Sequence, residues 1–129
     1  MPELPEVETT RRGLLPLLDH ATITAVDLRE ARLRWPFQAR WTEDLAGQTI
    51  LSLSRRAKYL LLHLSKGTLI AHLGMSGSLR CVTPDVPLKK HDHITLYLDS
   101  GLQLRYHDPR RFGCLIYTTE ASQEHPLLA

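Results

Sequence analysis

The chain has 129 residues and a mass of 14.7 kDa, which is the size of one domain that would span residues 1–129. Its 43% hydrophobic and 23% charged residues exclude disordered and collagen-like chains. The chain has neither an apolar run of roughly 18 residues nor the basic start of a secretory signal. We therefore expect a cytoplasmic protein without a membrane partner. The net charge is only +2, yet residues 50–111 sum to +6, which is typical of a polyanion-binding surface and equally of a solvated basic face.

The predicted elements begin with a helix over residues 5–18, in which Val7, Leu14 and Leu18 share a face, although Pro16 weakens the last turn. Short β-like segments follow at residues 22–29, 49–54, 59–64, 68–73, 78–82, 93–98, 102–106 and 114–117. Turn-forming Gly, Pro, Asp and Ser residues separate them. Such close spacing predicts a mostly β protein with some α structure, an antiparallel β-sandwich or flattened barrel of about eight strands with the N-terminal helix packed on it.

Metal and disulfide sites have little support in the sequence. The two cysteines, Cys81 and Cys114, lack C-x-x-C spacing and are predicted to be buried free thiols. His91 and His93 would share one face of a strand, but the spacing marks no third ligand, so we predict no metal site in this chain.

The start of the sequence, Met1-Pro2-Glu3-Leu4-Pro5-Glu6, offers a nucleophile. Removal of Met1 would expose the secondary amine of Pro2, and because an α-amino group titrates at about pH 8, roughly a tenth of it is free base at neutral pH. Condensation with an aldehyde-like sugar carbon would give a permanently cationic iminium that acidifies the neighbouring C–H. Glu3 could transfer the protons, and Glu6 would lie at the helix entrance. A bare helix N-terminus with acidic first-turn residues explains the same sequence.

Three later motifs suit a nucleic acid. Arg55, Arg56 and Lys58 lie at a predicted strand junction, where they could contact successive phosphates or form a solvated edge. Met75 lies between Gly74 and Gly77, as an apolar tip able to enter a base stack or as core filler. In the third motif, Asp108-Pro109-Arg110-Arg111-Phe112-Gly113, a proline-fixed turn presents arginine and an aromatic ring, which can fill the space of a displaced base and wedge between base pairs.

The segments PELPEVE, RRAKYLL, HLGMSGSLR, KHDH and DPRRFG, in this order, resemble the bacterial formamidopyrimidine-DNA glycosylases, which repair oxidised purines. The resemblance runs from Met1 to about Leu128. It implies excision of 8-oxoguanine and formamidopyrimidines from double-stranded DNA, followed by β,δ-elimination at the abasic sugar through a Schiff base. The related endonuclease VIII-type enzymes begin PEGPE and lack the methionine-bearing segment, so they are less similar.

The resemblance also implies roles for single residues. Pro2 would be the Schiff-base nucleophile, Glu3 the general acid and base at the sugar, and Glu6 a carboxylate that organises the site. Lys58 matches a lysine that donates protons and contacts phosphate during elimination. The remaining matches are DNA-contacting positions at His91 and Arg110 and a trio that fills and wedges the duplex at Met75, Arg110 and Phe112.

Members of that family continue into a helix-two-turn-helix module and a four-cysteine zinc finger, which this sequence lacks. We therefore interpret the chain as a catalytic N-terminal domain, expected to be a monomeric fragment that has no cofactor of its own and is poorly active alone. Two alternatives stay open. A nonenzymatic DNA-binding module needs the basic surface but neither Pro2 nor Glu3, whereas an N-terminal-proline tautomerase would use Pro2 as a base and needs a compact apolar pocket.

Overall fold

The computed structural model describes residues 4–33, 35–74 and 77–119. Within these ranges, strands form two antiparallel four-stranded sheets, the first in the order β1-β6-β7-β5 and the second in the order β2-β3-β4-β8. The elements are α1 (Leu4–Leu18), β1 (Ile23–Leu28), α2 (Trp41–Leu45), β2 (Ile50–Arg56), β3 (Tyr59–Leu64), β4 (Gly67–His72), β5 (Ser78–Val82), β6 (Asp92–Leu98), β7 (Gln103–His107) and β8 (Cys114–Thr118). The predicted sandwich with an N-terminal helix is confirmed, and each predicted strand agrees with an observed one to within two residues.

The hydrophobic core lies between the sheets and under α1. Side chains alternate along the strands, so Leu60 and Leu62 of β3 enter this core. Leu61, between them, instead forms a small separate cluster with Ile70 and Tyr59 on the other face of the second sheet. Both faces of β3 are therefore covered, which explains its uninterrupted run of leucines.

The two helices differ in how well the sequence predicts them. α1 continues to Leu18 despite Pro16, because Leu18 is completely buried and its packing offsets the hydrogen bond that proline cannot donate. α2 was absent from the sequence prediction. Its five residues bury Trp41 and Leu45 and carry no long hydrophobic period.

Three connections lie at one end of the sandwich, which we call the loop end, and a fourth ends there. At this end β4 finishes where β8 starts, since His72 pairs with Cys114. β7 finishes where β5 and β6 start, since His107 pairs with both Ser78 and Asp92. The connections at the loop end are residues 57–58, 73–77 and 108–113. Residues 83–91 start at the opposite end of the first sheet, where Val82 pairs with Gln103, and reach the loop end just before β6.

The helix α1 runs away from the loop end. Glu8, near its start, contacts Arg55 at the loop end of β2. Just beyond its last residue, the His20 backbone N–H donates to Ile50 at the opposite end of β2, at 2.8 Å. The N-terminal end of α1 therefore lies beside the loop end. Among the described residues, no helix is both long and apolar enough to cross a membrane.

Candidate functional site

The helix start and the loop end together hold most of the predicted site residues. Pro2 and Glu3 lie outside the described residues, but the helix that follows them begins beside the loop end. Glu6 is exposed in the first turn of α1, where free backbone N–H groups favour a carboxylate. The placement predicted for Glu6 is thus observed.

A second carboxylate ties α1 to the second sheet. Glu8 accepts hydrogen bonds from Arg11 (Nη2 to Oε2, 2.7 Å), Arg12 (Nε to Oε2, 2.9 Å) and Arg55 (Nε to Oε1, 3.3 Å). The hydrogen bond from Arg11 is the largest influence on Glu8, and with its neighbours it lowers the pKa of that carboxyl to about 2. Glu8 is therefore ionised at neutral pH and partly neutralises Arg55. Sequence reasoning did not anticipate this partner for Arg55.

The connection between β2 and β3 is a two-residue turn at Ala57 and Lys58. Ala57 has a φ of 52°, in the left-handed region. The Arg55 guanidinium donates to the Ala57 carbonyl at 2.9 Å, which holds that conformation. Arg56 and Lys58 are exposed, and neither forms an ion pair with another described residue. Their charges are therefore available to a ligand at the loop end.

Residues 108–113 form the β7–β8 loop, which presents the predicted wedge. The Arg110 guanidinium carbon lies 4.8 Å from the centre of the Phe112 ring, close enough for a cation–π contact. Phe112 is 50% exposed, an unusual position for a large aromatic residue. Arg110 and Phe112 thus form one projecting tip with a charged part and an apolar part.

Residues 73–77 connect β4 to β5 (the β4–β5 loop), and of the described residues among them Gly74 lies against the β7–β8 loop. Gly74 has a φ of 67°, and a Cβ atom there would lie 3.2 Å from the Gly113 nitrogen. The Gly77 N–H donates to the Leu73 carbonyl at 2.9 Å and closes the loop. Met75 lies outside the described residues.

Three imidazoles meet at the loop end of the first sheet. The ring of His91 lies 5.9 Å from that of His93 and 6.0 Å from that of His107. Burial, helped by the nearby charge of Lys90 and the other imidazoles, lowers the pKa of His91. His91 is therefore neutral at neutral pH and can exchange hydrogen bonds with a ligand without carrying a charge.

A buried carboxylate supports this group of imidazoles. Asp92 is completely buried and accepts hydrogen bonds from His107 Nδ1 (2.8 Å), Arg80 Nη2 (3.1 Å) and the Lys89 backbone N–H (2.8 Å). Burial opposes its ionisation, but these donors outweigh burial and lower the pKa of Asp92. Asp92 is thus occupied by protein donors, which leaves it poorly suited to bind a metal.

A cationic cleft opens beside His91. Its volume is about 270 Å³, and its lining residues are Arg29, Glu30, Arg32, Lys90, His91, His93, Pro109 and Arg111. Arg111 has a φ of 56°, and its guanidinium meets the Glu30 carboxylate (Nη1 to Oε1, 3.3 Å). Arg111 was not among the predicted binding residues, although the charge of residues 50–111 includes it. The cleft can accept an anion wherever that anion competes successfully with Glu30.

Other potential ligand sites are less well placed. Over residues 4–33, 35–74 and 77–119, no three His, Cys, Asp or Glu side chains converge in a way that could hold a metal ion. Cys114 is buried as predicted, whereas Cys81 is only partly buried. Two further cavities, of about 630 and 240 Å³, both include Tyr117 of β8 in their lining and contain none of the predicted site residues.

The sequence matches the family model "Formamidopyrimidine-DNA glycosylase N-terminal domain" over residues 1–115. Proteins named formamidopyrimidine-DNA glycosylase from Methylococcus capsulatus and Thioalkalivibrio sulfidiphilus are 58% and 57% identical over 129 residues, which is 100% of this chain and 48% of each relative. A solved complex of Lactococcus lactis Fpg with DNA containing an abasic site has a TM-score of 0.81 and 40% identity, covering 91% of this chain and 45% of that one. A complex of the same protein with DNA containing Fapy-dG gives a TM-score of 0.80 at 40% identity, covering 90% and 44%. The chain spans about half the length of the curated relatives that it matches.

Proposed function

The chain belongs to the formamidopyrimidine-DNA glycosylase family, and we propose that it is the catalytic N-terminal domain of a DNA-repair glycosylase that also cleaves the strand at abasic sites. Its substrate is double-stranded DNA with oxidised purines, such as 8-oxoguanine and formamidopyrimidines, or with abasic sites. The observation that carries the proposal is the convergence on one end of the sandwich of the helix start, the Lys58 turn, the cationic cleft and the Arg110–Phe112 tip.

In the proposed reaction, the Pro2 amine attacks the sugar carbon that bears the damaged base. The bond to the base breaks and the base leaves with the proton of the amine. The bond between that sugar carbon and the ring oxygen then breaks, the ring oxygen takes a proton, and the amine becomes a cationic iminium. That cation acidifies the neighbouring C–H, so loss of its proton expels the 3′ phosphate by β-elimination and cleaves the strand. A δ-elimination then expels the 5′ phosphate, and water hydrolyses the iminium to release the sugar remnant and the free amine. Glu3 is the proposed proton carrier at the sugar, with Glu6 organising the site. Lys58, exposed and without an ion pair among the described residues, would supply a proton or contact a phosphate.

The loop end supplies the proposed DNA contacts. Insertion of Phe112, with Arg110 and Met75, would occupy the space left when the damaged nucleotide leaves the stack. His91 lines the cleft that would take a backbone phosphate. Arg56 would add a phosphate contact, whereas Arg55 would first have to leave Glu8.

The remaining features of the proposal follow from family membership. We propose that residues 1–129 act as one domain, as a monomer, in the cytoplasm near the nucleoid. We also propose that this chain holds no cofactor of its own and that zinc, in the longer family members, is bound by a C-terminal zinc finger. The proposed chemistry of this chain needs only its own amine and side chains.

Borohydride trapping tests the proposal. The chain, with loss of Met1 verified by intact mass, is incubated with a duplex carrying one abasic site and sodium borohydride, which reduces an iminium to a stable covalent adduct. Because the curated relatives are about twice as long, the same assay is run on the chain extended by the second half of the Methylococcus capsulatus protein. We expect an adduct with the extended protein, formed much more slowly in Pro2→Gly, whose primary N-terminal amine gives an imine that can lose its proton and is not permanently cationic.

The alternatives give different results in the same assay. DNA binding without an adduct in either protein would favour a nonenzymatic binding module. An adduct that forms in Pro2→Gly as quickly as in the parent would assign the nucleophile elsewhere. Enolisation of a small keto acid, with no adduct on DNA, would favour a tautomerase.

A further inference from the structure

The β7–β8 loop that carries the tip is organised around a single buried carboxylate. Asp108 is completely buried. Its Oδ2 accepts hydrogen bonds from the Gly113 N–H (2.8 Å) and the Tyr106 hydroxyl (3.0 Å), and its Oδ1 accepts one from the Arg111 N–H (3.0 Å). A carboxylate is costly to bury unless donors surround it, and charged acceptors make strong hydrogen bonds. The bonds from Arg111 and Gly113 join the start, the middle and the end of a loop only six residues long, and the bond from Tyr106 ties the loop to β7.

The donors around Asp108 are themselves fixed. Burial strongly raises the pKa of Tyr106, so its phenol keeps its proton and donates a hydrogen bond to Asp108. His93 Nε2 lies 2.6 Å from the backbone carbonyl of Asp108. The loop is thus connected through Asp108 to β7 and, by way of His93, to the group of imidazoles that includes His91.

The β7–β8 loop packs closely against the β4–β5 loop. A Cβ atom at Gly113 would collide with the Tyr106 hydroxyl and with the His72 carbonyl, so the backbone there fits without spare room. Gly74 of the β4–β5 loop lies against the same Gly113 backbone. The two loops that hold Met75, Arg110 and Phe112 therefore meet at the peptide group whose N–H is bound by Asp108.

From this geometry we propose that Asp108 is a positioning residue for nucleotide eversion, and the proposal rests on the function proposed above. By holding the β7–β8 loop in one conformation before DNA arrives, Asp108 presents Arg110 and Phe112 ready for insertion. Without it, insertion would have to order the loop while also unstacking the duplex. Asp108 touches neither the sugar nor the base and acts only through the position of the tip.

The first test measures loop order without DNA. In Asp108→Asn, one carboxylate oxygen becomes an NH2 group that faces N–H or O–H donors. We expect amide hydrogen exchange at Arg111 and Gly113 of the 129-residue chain to become at least about tenfold faster, with unchanged protection in β3 and β4. The matched control is Asp99→Asn, which alters a carboxylate that accepts the Thr22 N–H at the opposite end of the sandwich. Unchanged exchange at Arg111 and Gly113 would overturn the proposal.

The second test separates eversion from chemistry in the protein extended by the second half of the Methylococcus capsulatus relative. Asp108→Asn should lower the rate on a duplex with 8-oxoguanine about tenfold more than the rate on a duplex with a preformed abasic site, where no base is left to unstack. Equal losses on both substrates would make Asp108 merely structural and refute positioning. If the parent protein processes neither substrate, the proposed function fails while the exchange result still stands.

A milder variant guards against misfolding. Tyr106→Phe keeps the buried ring and removes only the hydroxyl that donates to Asp108. In Tyr106→Phe we expect faster amide exchange at Arg111 and Gly113, and a greater loss of rate on 8-oxoguanine DNA than on abasic DNA. Each effect should be smaller than in Asp108→Asn. If Asp108→Asn does not fold, Tyr106→Phe becomes the test of the proposal. Unchanged amide exchange, or an equal loss of rate on both substrates, would then count against it.

Discussion

Neutralising Glu30 should strengthen the dependence of DNA binding on salt. In the free protein, Glu30 accepts hydrogen bonds from Arg32 (Nε to Oε2, 3.1 Å) and contacts Arg111 (Nη1 to Oε1, 3.3 Å). The hydrogen bond from the Arg32 side chain is the main reason that the pKa of Glu30 falls to about 2, so Glu30 is ionised at neutral pH. A phosphate entering the cleft must therefore displace a carboxylate, whereas Glu30→Gln removes the competing charge and keeps the shape.

The structure sets the expected size of this change. Arg56, Lys58 and Arg110 form no ion pair with a described residue, which gives about three free phosphate contacts. Counterion release of about 0.9 per contact predicts a log–log salt slope of about −2.7 for the parent chain. Release of Arg111 by Glu30→Gln adds one contact and steepens the slope to about −3.6. Between about 50 and 200 mM salt, the variant should lose roughly 3.5-fold more affinity than the parent.

Fluorescence anisotropy with a labelled duplex at neutral pH measures the slope. The matched control is Glu43→Gln, which removes the same charge from α2, in the lining of a cavity that contains no predicted site residue. We expect this control to keep the parent slope. An unchanged slope in Glu30→Gln, or an equal steepening in Glu43→Gln, would show that Glu30 does not compete with phosphate in the cleft.

Three further predictions concern stability. The pKa of Glu8 is about 2 in the folded chain against an ordinary 4.5, so the stability that its ionised form contributes is complete above pH 4.5 and is lost towards pH 2. Glu8→Gln should therefore lower the melting temperature at neutral pH. Melting curves recorded at decreasing pH should show this difference from the parent shrinking as the pH approaches 2. The pKa of His91 is lower in the folded chain than in the unfolded chain, so acid protonates this imidazole more readily in the unfolded chain. The free energy of unfolding should therefore fall as the pH drops through 6.5, and it should fall less steeply in His91→Gln. Gly113→Ala should cost about 1–3 kcal/mol in urea unfolding, because its methyl group would strike Tyr106, whereas Gly13→Ala, in open space on α1, should gain about 0.5–1 kcal/mol.

The fold was largely predictable because its strands obey local rules. Each strand has apolar residues bounded by turn-forming residues, and β3 is covered on both faces, which matches its run of leucines. α2 escaped prediction because tertiary contacts hold it. The ring of Trp41 packs edge-on against Phe37 at 5.0 Å and against Tyr117 at 6.5 Å. Tyr117 lies 76 residues further along the chain, so no local pattern could reveal that contact.

The site was only partly predictable, for a related reason. The motifs supplied the identities of Lys58, Arg110 and Phe112, and the structure places all three at the loop end. The partners of the charged residues were not visible in the motifs. Glu8 and Arg55 are separated by 47 positions, and Glu30 and Arg111 by 81. Which charges pair depends on the packing of α1 on β2 and on the approach of the segment after β1 to the β7–β8 loop.

These ion pairs reduce the positive charge that residues 50–111 can offer to a ligand. The charge of +6 over residues 50–111 counts Arg55 and Arg111 as if they were free, but each already has a carboxylate. Exchanging a carboxylate for a phosphate gains little Coulomb energy compared with binding phosphate to an unpaired guanidinium. We therefore expect affinity for intact DNA to be held down at these two proposed contact positions. A glycosylase of the proposed kind must leave the many undamaged sites that it visits, and such internal competition favours rapid departure wherever the Arg110–Phe112 tip finds no nucleotide to replace.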